Sequence, residues 1–482
     1  MKILIFESWN NSPQFETGLE IAEIHAEKGD KVTYVNIGGF LPFVEWQFSP
    51  NAKFSKTGKI LRKLLFDSKM ERAKKVINKN INFNYKTLLS DSEIKNALEK
   101  ISFKSLEELK NYEWKGIDIG MATTSSLISV TNDLEPDIQN EYIRGVQNII
   151  DSAKIVALSF EKWLDKIKPD LVYFRNGRVA LYRPVLRICE QRDQNFLIHD
   201  RGNDKYHYVT SPDLRHNFEM VNQEIIDAWE AEKNTEKREK IAAQFYQDRR
   251  SGVEQAWQSY LDNQKKDILP ENWDNAKHNI TFFNSSISEY VAISKVNNKK
   301  PVFEDQIEAI NYIIETIKNK PEFNFYLRLH PNLMNQSQRE IDLWMSLESN
   351  PHINLIHADS KVDTYAMMLN SDLNIAFLSS TAIESAYYNK PIIQLSKSNY
   401  HRLGSTYFPQ SKEEFKDLLL DKDLKPKDNL GARKFGYYMN TFGTRYQYFE
   451  PKDLNTGTYR GTDLQRIPLK YKILMKLKNI IR

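Results

Sequence analysis

An α/β protein with two doubly wound domains is what this sequence predicts, on three observations. The chain of 482 residues, 40% of them apolar and 12% aromatic, exceeds what one core serves and can fill two, of about 200 residues each. It opens with a strand, helix and strand, and from His278 onward strands and helices alternate regularly. Such alternation implies parallel sheets joined by helical crossovers.

The elements follow from the local pattern. Lys2 to Phe6 is a short apolar run that reads as a first strand, Thr17 to Lys28 has helical spacing and is ended by Gly29, and Lys31 to Asn36 is a second strand. Phe43 to Phe103 is lysine-rich without alternation, which predicts surface helices and loops. Gly116 to Met121 reads as a further strand ahead of Thr123-Thr124-Ser125-Ser126, and Ile138 to Ile167 as a helix that stops at Lys168-Pro169-Asp170. Strand Leu171 to Phe174 leads into Arg175-Asn176-Gly177-Arg178. Helix Val185 to Gln191 and strand Phe196 to Ile198 follow, ending in His199-Asp200-Arg201-Gly202. Consecutive parallel strands that end in polar loops place both loops at the carboxyl edge, where open α/β sheets bind ligands.

Glu230 to Lys266 is charged and helical, and reads as linker and lid. The second domain then runs through strand Asn279 to Asn284, helix Ile307 to Lys318, and strand Phe323 to Leu329 into His330-Pro331. Strand Ile353 to Ile356, helix Thr364 to Leu369, strand Leu373 to Phe377, helix Thr381 to Tyr388 and strand Pro391 to Leu395 continue it. The expected domains are 1–270, acceptor-side, and 271–430, nucleotide-binding, with 431–482 crossing back as a tail.

Charge narrows the partners. Lys+Arg number 68 against 64 Asp+Glu, a net +4, which argues against nucleic acid and for small anions. Cys189 is the single cysteine, so a disulfide framework and multi-cysteine metal sites are excluded and a reducing, cytoplasmic compartment is expected. MKILIFESWN reads as a strand rather than a signal peptide, and no run approaches the roughly 18 apolar residues of a membrane span. Leu469 to Arg482, LKYKILMKLKNIIR, alternates basic and apolar residues at helical spacing. It reads either as reversible contact with the anionic inner face of the membrane or as a terminal helix packed on the protein.

The polar residues at strand ends carry the chemistry. Pro331 removes a donor and holds His330 extended, which aims the imidazole at a leaving phosphate; the alternative is a cap on the strand. Ser379-Ser380-Thr381 open a helix whose first amides face an anion, unless they only cap it. Glu384, one turn further, suits a ribose diol or is simply a favourable first-turn acid. Ser285, in Phe283-Asn284-Ser285-Ser286, reaches the donor or makes a turn. Asp200, a carboxylate at a strand end, is placed to take a proton from a substrate hydroxyl, or else forms an ion pair with Arg201. His199 is the competing base or a hydrogen-bond partner of Asp200, and Glu7 and Asp204 are acids expected in surface loops. Arg175, Asn176, Arg178 and Arg201 suit binding of an acidic substrate group. Arg328, alternating with Leu327 and Leu329, is expected on a solvated face. Asp359 and Asp363 lack a third ligand, and Asp359 or Ser360 reads as a helix cap, so a metal-independent enzyme is expected.

This combination resembles the bacterial capsule and lipopolysaccharide glycosyltransferases with two facing Rossmann-like domains of the glycosyltransferase-B type, above all the group of sialyltransferases and capsule Kdo transferases. His330-Pro331 is similar to their histidine-proline motif, Ser379-Ser380 to their paired serines, and Glu384 to the glutamate that follows. The likeness spans Asn279 to Leu395, and more loosely Tyr173 to Gly202 through RNGR, Arg183-Pro184 and HDRG. Where sialyltransferases of the group have two acids and a glycine, this chain has His199-Asp200-Arg201-Gly202, and Asp200 is the nearest equivalent of their base. The resemblance implies a CMP-activated acidic sugar as donor, no separate cofactor, and a surface glycan or lipid-linked acceptor. The alternatives are a UDP- or GDP-sugar transferase, a polyol-phosphate transferase, a sugar-nucleotide epimerase and a nonenzymatic glycan-assembly protein.

Overall fold

The computed structural model describes residues 1–45, 47, 49–53, 55–255, 264–285, 302–469 and 471–472. The chain divides into two compact units. Unit 1 comprises Met1–Thr131, Glu135–Leu214 and the chain from Gly443, and unit 2 comprises Asn132–Leu134 and Arg215–Phe442. The main boundary therefore falls at Leu214 rather than at the expected residue 270. The helices Phe218–Ala231 and Thr235–Arg250, expected as linker and lid, belong to unit 2. Their apolar faces decide this: Val221, Ile225, Phe245 and Tyr246 share one core with Ile383, Phe435 and Met439.

Unit 1 is built on strands β1 (Lys2–Glu7), β2 (Lys31–Asn36), β3 (Asn82–Asn84), β4 (Leu171–Arg175), β5 (Phe196–Arg201) and β6 (His207–Ser211). They lie in the order β6-β5-β4-β1-β2-β3, parallel except where β6 returns against β5. Strand β1 is apolar on both faces because both are covered: Ile3 and Ile5 pack with Phe15 and Leu19, and Leu4 and Phe6 with Phe160 and Val156. Strands β2 and β3 are added on one side of β1 and β4 and β5 on the other, so the crevice of this doubly wound, Rossmann-like sheet opens between β1 and β4.

Residues 116–121 are not a strand. Ile119–Thr131 is a helix buried from Ile119 to Ile128, and a helix covered on every side shows no amphipathic period. The Thr124 hydroxyl bonds back to the Gly120 carbonyl at 3.0 Å, as mid-helix hydroxyls do. The helix Ile143–Ile167 stops as expected, with Lys168 in the left-handed conformation at φ 49° ahead of Pro169.

Unit 2 carries β7 (His278–Phe283), β8 (Phe323–Arg328), β9 (Asn354–Ile356), β10 (Leu373–Ala376) and β11 (Ile392–Gln394), all parallel in the order β11-β10-β7-β8-β9. The same winding puts its crevice between β7 and β10. Ile280, Phe282, Phe325, Leu327 and Ile375 pack there against Ile310, Ile313 and Phe415.

From Gly443 the chain rejoins unit 1, where β12 (Thr444–Arg445) pairs antiparallel with β6. The buried Glu20 carboxylate accepts the backbone N–H groups of Gln447, Tyr448 and Phe449, and Arg460 pairs with the buried Glu23 at 3.1 Å. Among the described residues no helix is long and apolar enough to cross a membrane. Lys470 and residues 473–482 of the basic tail lie outside the described residues.

Candidate functional site

In unit 2 the ends of β7, β8 and β10 carry the predicted residues. His330 follows β8 but is not an exposed tip: it is half-buried, and its backbone N–H is tied to the Asn284 side chain at the end of β7. Its Nδ1 accepts the Asn332 amide at 3.1 Å, which puts the ring proton on Nε2. Burial, reinforced by the Arg328 and Arg249 guanidiniums, lowers the imidazole to about 4. The ring is therefore a neutral hydrogen-bond donor at pH 7. Pro331 opens a short 3₁₀ turn to Asn335.

The serine loop is arranged differently from a simple cap. Ser380 makes no side-chain cap of the seven-residue helix Thr381–Tyr387. Its hydroxyl accepts from Arg249 Nη2 at 3.0 Å and donates to Glu384 Oε1 at 2.9 Å. Arg249 Nε also donates to Glu384 Oε1 at 3.1 Å, and the Tyr365 hydroxyl donates to Oε2. Glu384, only 5% exposed, is thus already engaged at both oxygens, and a ribose diol would have to share them. Ser379 and Thr381 hydroxyls bond to one another at 2.9 Å, so one of their two protons remains for another acceptor. Ser285, at the end of β7, accepts the Leu378 amide at 2.9 Å and fastens the two sides of the crevice.

Arg328 is not on a solvated face. It is 2% exposed, bonded to the His357 carbonyl and directed at the Thr364 hydroxyl at 3.4 Å. The end of β9 covers it, because β8 is an interior strand. Asp363, rather than Asp359 or Ser360, caps the helix Thr364–Asn370. Among the described residues no three His, Cys, Asp or Glu side chains gather as metal ligands.

In unit 1 the ends of β1, β4 and β5 meet. Glu7 is not in a surface loop: it ends β1 and is fully buried, with Oε2 accepting from the Tyr182 hydroxyl at 2.7 Å and Oε1 at 2.6 Å from His199 Nε2. The partner of His199 is thus Glu7 rather than Asp200. Asp200 accepts the Arg201 amide at 2.9 Å and Asn176 Nδ2 at 3.1 Å. Burial pushes its carboxyl up, but Arg175 and these hydrogen bonds outweigh it and hold Asp200 below the ordinary carboxylate range. Asn176 takes the left-handed conformation at φ 56° and accepts the Arg178 amide at 3.2 Å. Arg178 is buried and reaches Ser129 at 3.2 Å, while Arg201 reaches Asn455 at 2.7 Å. Asp204 binds His207 Nδ1 at 2.6 Å.

Arg175 lies over the Trp9 ring at 4.4 Å. Its Nε and Nη1, Trp9 Nε1 and His199 Nδ1 are buried without a hydrogen-bond partner among the described residues. Buried polar atoms left unsatisfied cost about 1–3 kcal/mol each, so their gathering at the carboxyl ends of β1, β4 and β5 marks this edge as a place for a polar ligand. Trp9 and Arg249 are residues that sequence reading passed over. The position of Trp9 just after the first strand was a signal; Arg249, the penultimate residue of a charged helix, offers none.

No protein-family model matches the chain, and no curated protein matches it. Solved structures are similar at low identity. The beta Kdo 2,4 transferase KpsC of Thermosulfurimonas dismutans has 10% identity and a TM-score of 0.38, covering 56% of this chain and 79% of its own. The UDP-GlcNAc 2-epimerase of Methanocaldococcus jannaschii, in complex with UDP-GlcNAc and UDP, has 12% identity and a TM-score of 0.27 over 90% of this chain and 98% of its own. The glycotransferase of kitacinnamycin has 8% identity and a TM-score of 0.24 over 91% and 94%. Likeness at this distance carries no activity across.

Proposed function

We propose that the chain is an inverting glycosyltransferase of the glycosyltransferase-B type, moving an acidic sugar, Kdo or a sialic-acid relative, from a CMP-activated donor to a surface glycan or lipid-linked acceptor in capsule or lipopolysaccharide synthesis. The observation that carries this is the state of His330: a neutral imidazole with its proton fixed on Nε2, beside a serine loop and an arginine at a sheet crevice. A departing nucleotide phosphate is stable as an anion and needs no proton, only donors that strengthen as its charge grows. His330 suits that task without becoming an acid.

Asp200 supplies the complementary role. Held ionised by Arg175 and two hydrogen bonds, it accepts the acceptor hydroxyl's proton as the new bond to the anomeric carbon forms and the bond to phosphate breaks. Arg175, Asn176, Arg178 and Arg201 orient the acidic substrate, and Ser285, Ser379, Ser380, Thr381 and Glu384 hold the donor. Charge is offset by side chains rather than by a metal. The reading places the chain in the cytoplasm, reversibly at the inner face of the membrane. Calorimetry with CMP, UDP and GDP tests the donor: CMP is expected to bind tightest, and tighter binding of UDP or GDP overturns the assignment.

A further inference from the structure

We infer that Arg249 is the cation that recognises the donor's phosphate, and that it makes unit 2 discriminate a nucleotide from its unphosphorylated nucleoside; this rests on reading unit 2 as the donor-binding unit. The donor's phosphodiester carries one negative charge and the departing nucleotide, a phosphate monoester, close to two, and hydrogen bonds alone leave that growing charge unbalanced. His330 donates a hydrogen bond but carries no charge at neutral pH. Ser380 has committed its proton to Glu384. The positive charge has to come from an arginine near the ends of β7, β8 and β10.

The other arginines there are placed elsewhere. Arg328 is 2% exposed and bonded to the His357 carbonyl. Arg250 lies 5.8 Å from the Tyr388 ring centre and 6.0 Å from that of Tyr365. Arg249 keeps 22% of its side chain exposed and touches the serine loop directly, at Ser380 Oγ. Its guanidinium has more N–H donors than the bonds to Ser380 and Glu384 use. Glu384 acts as the positioning residue: it holds the Nε edge, while Ser380 and Tyr365 share its negative charge. Its ion pair with Arg249 spans 135 residues of sequence and fixes the cation before any ligand arrives, which lowers the ordering cost of binding.

The test is calorimetric titration of the full chain with cytidine, CMP, uridine and UMP, using the parent, Arg249→Gln, Arg249→Lys and the double variant Arg249→Gln/Glu384→Gln. The double variant removes the carboxylate that Arg249→Gln alone leaves buried and unpaired, and keeps the experiment informative if the single variant fails to fold. Loss of a charge-assisted contact is expected to weaken CMP about ten- to hundredfold with cytidine binding unchanged in Arg249→Gln, and to weaken CMP more than cytidine by the same factor in the double variant, whose Glu384→Gln change can touch the ribose. Arg249→Lys should fall between, and the salt dependence of CMP binding should flatten in the Gln variants. Retention of the parent's CMP-over-cytidine ratio in the folded Gln variants overturns the inference. So does equal weakening of cytidine and CMP, which is what a purely structural ion pair produces. If the parent prefers UMP and that preference over uridine depends on Arg249, the phosphate role stands and only the CMP assignment falls. If the parent binds none of these nucleotides, the donor-binding reading fails and takes this role with it.

Discussion

The neutral state of His330 has a thermodynamic consequence that can be measured without knowing the substrate. A histidine whose folded value is depressed from 6.5 to about 4 binds its proton more weakly folded than unfolded. Its contribution is fully present above pH 6.5 and is lost as pH falls through the window down to about 4. At about 1.4 kcal/mol per pH unit, the full difference is about 3 kcal/mol. Replacing His330 by Asn removes the titrating group, so the variant should lose less stability than the parent between pH 6.5 and 4. Denaturation monitored across this range reads the gap between the two curves, and a proton NMR titration of the His330 ring reads the ionisation directly. Two units need not unfold together, so the NMR titration decides. A ring that titrates at or above 6 would refute the neutral-donor reading, because the charge would then be His330's own and the argument for Arg249 would lose its premise.

Other perturbations separate the remaining roles. Asp200→Asn should lower transfer from a CMP-sugar by about 10²–10⁴ with CMP affinity retained; parental activity in a mass-spectrometric assay with a panel of donors moves the base elsewhere, to His199 if His199→Ala is the inactive variant. His330→Ala should reduce kcat/KM by about 2–4 kcal/mol of transition-state stabilisation, and an unchanged value sinks the leaving-group role. Trp9→Phe keeps an aromatic ring under Arg175 and removes the N–H that has no partner among the described residues; a rise in acceptor KM with kcat and CMP affinity unaltered is expected, whereas no kinetic change removes Trp9 from the site. Deleting residues 469–482 should abolish salt-sensitive sedimentation with anionic liposomes, and equal sedimentation of both chains eliminates the tail as an anchor.

The strand ends that matter were legible because their signal is local. An apolar run that stops at His330-Pro331, or at Ser379-Ser380, announces the carboxyl edge of a sheet, and an open parallel sheet binds there. The helix Ile119–Thr131 was misread for the opposite reason: burial on all sides erased the periodicity that distinguishes helix from strand. Arg328 and Glu7 were assigned to solvent because charged residues are seldom buried unless paired, and the groups that bury them arrive from distant sequence. Glu7 meets His199 across 192 residues, a separation at which spacing carries no information.

The same long-range pairing shows why the two units must be interrogated differently. In unit 2 the polar groups are largely engaged with one another: Arg249, Ser380, Tyr365 and Glu384 form a linked set of hydrogen bonds that leaves Arg249 donors to spare. A ligand there must compete with existing partners, so each substitution alters both the empty and the occupied state, and only differences between ligands, such as CMP against cytidine, isolate a contact. In unit 1 Trp9 Nε1, Arg175 Nε and Nη1 and His199 Nδ1 have no hydrogen-bond partner among the described residues. A ligand that satisfies them gains the value of relieving buried, unpaired polar atoms. Substitutions that delete such a donor should therefore weaken acidic substrates while leaving the fold intact or slightly more stable, the reverse of what cutting a satisfied network does. Trp9→Phe supplies the check, because Arg175 also offsets the buried Asp200 charge and cannot be removed without leaving that carboxylate unbalanced: a melting temperature at or above the parent's, with weaker acidic-acceptor binding, is expected, and a large drop in stability means that the Trp9 N–H is structural.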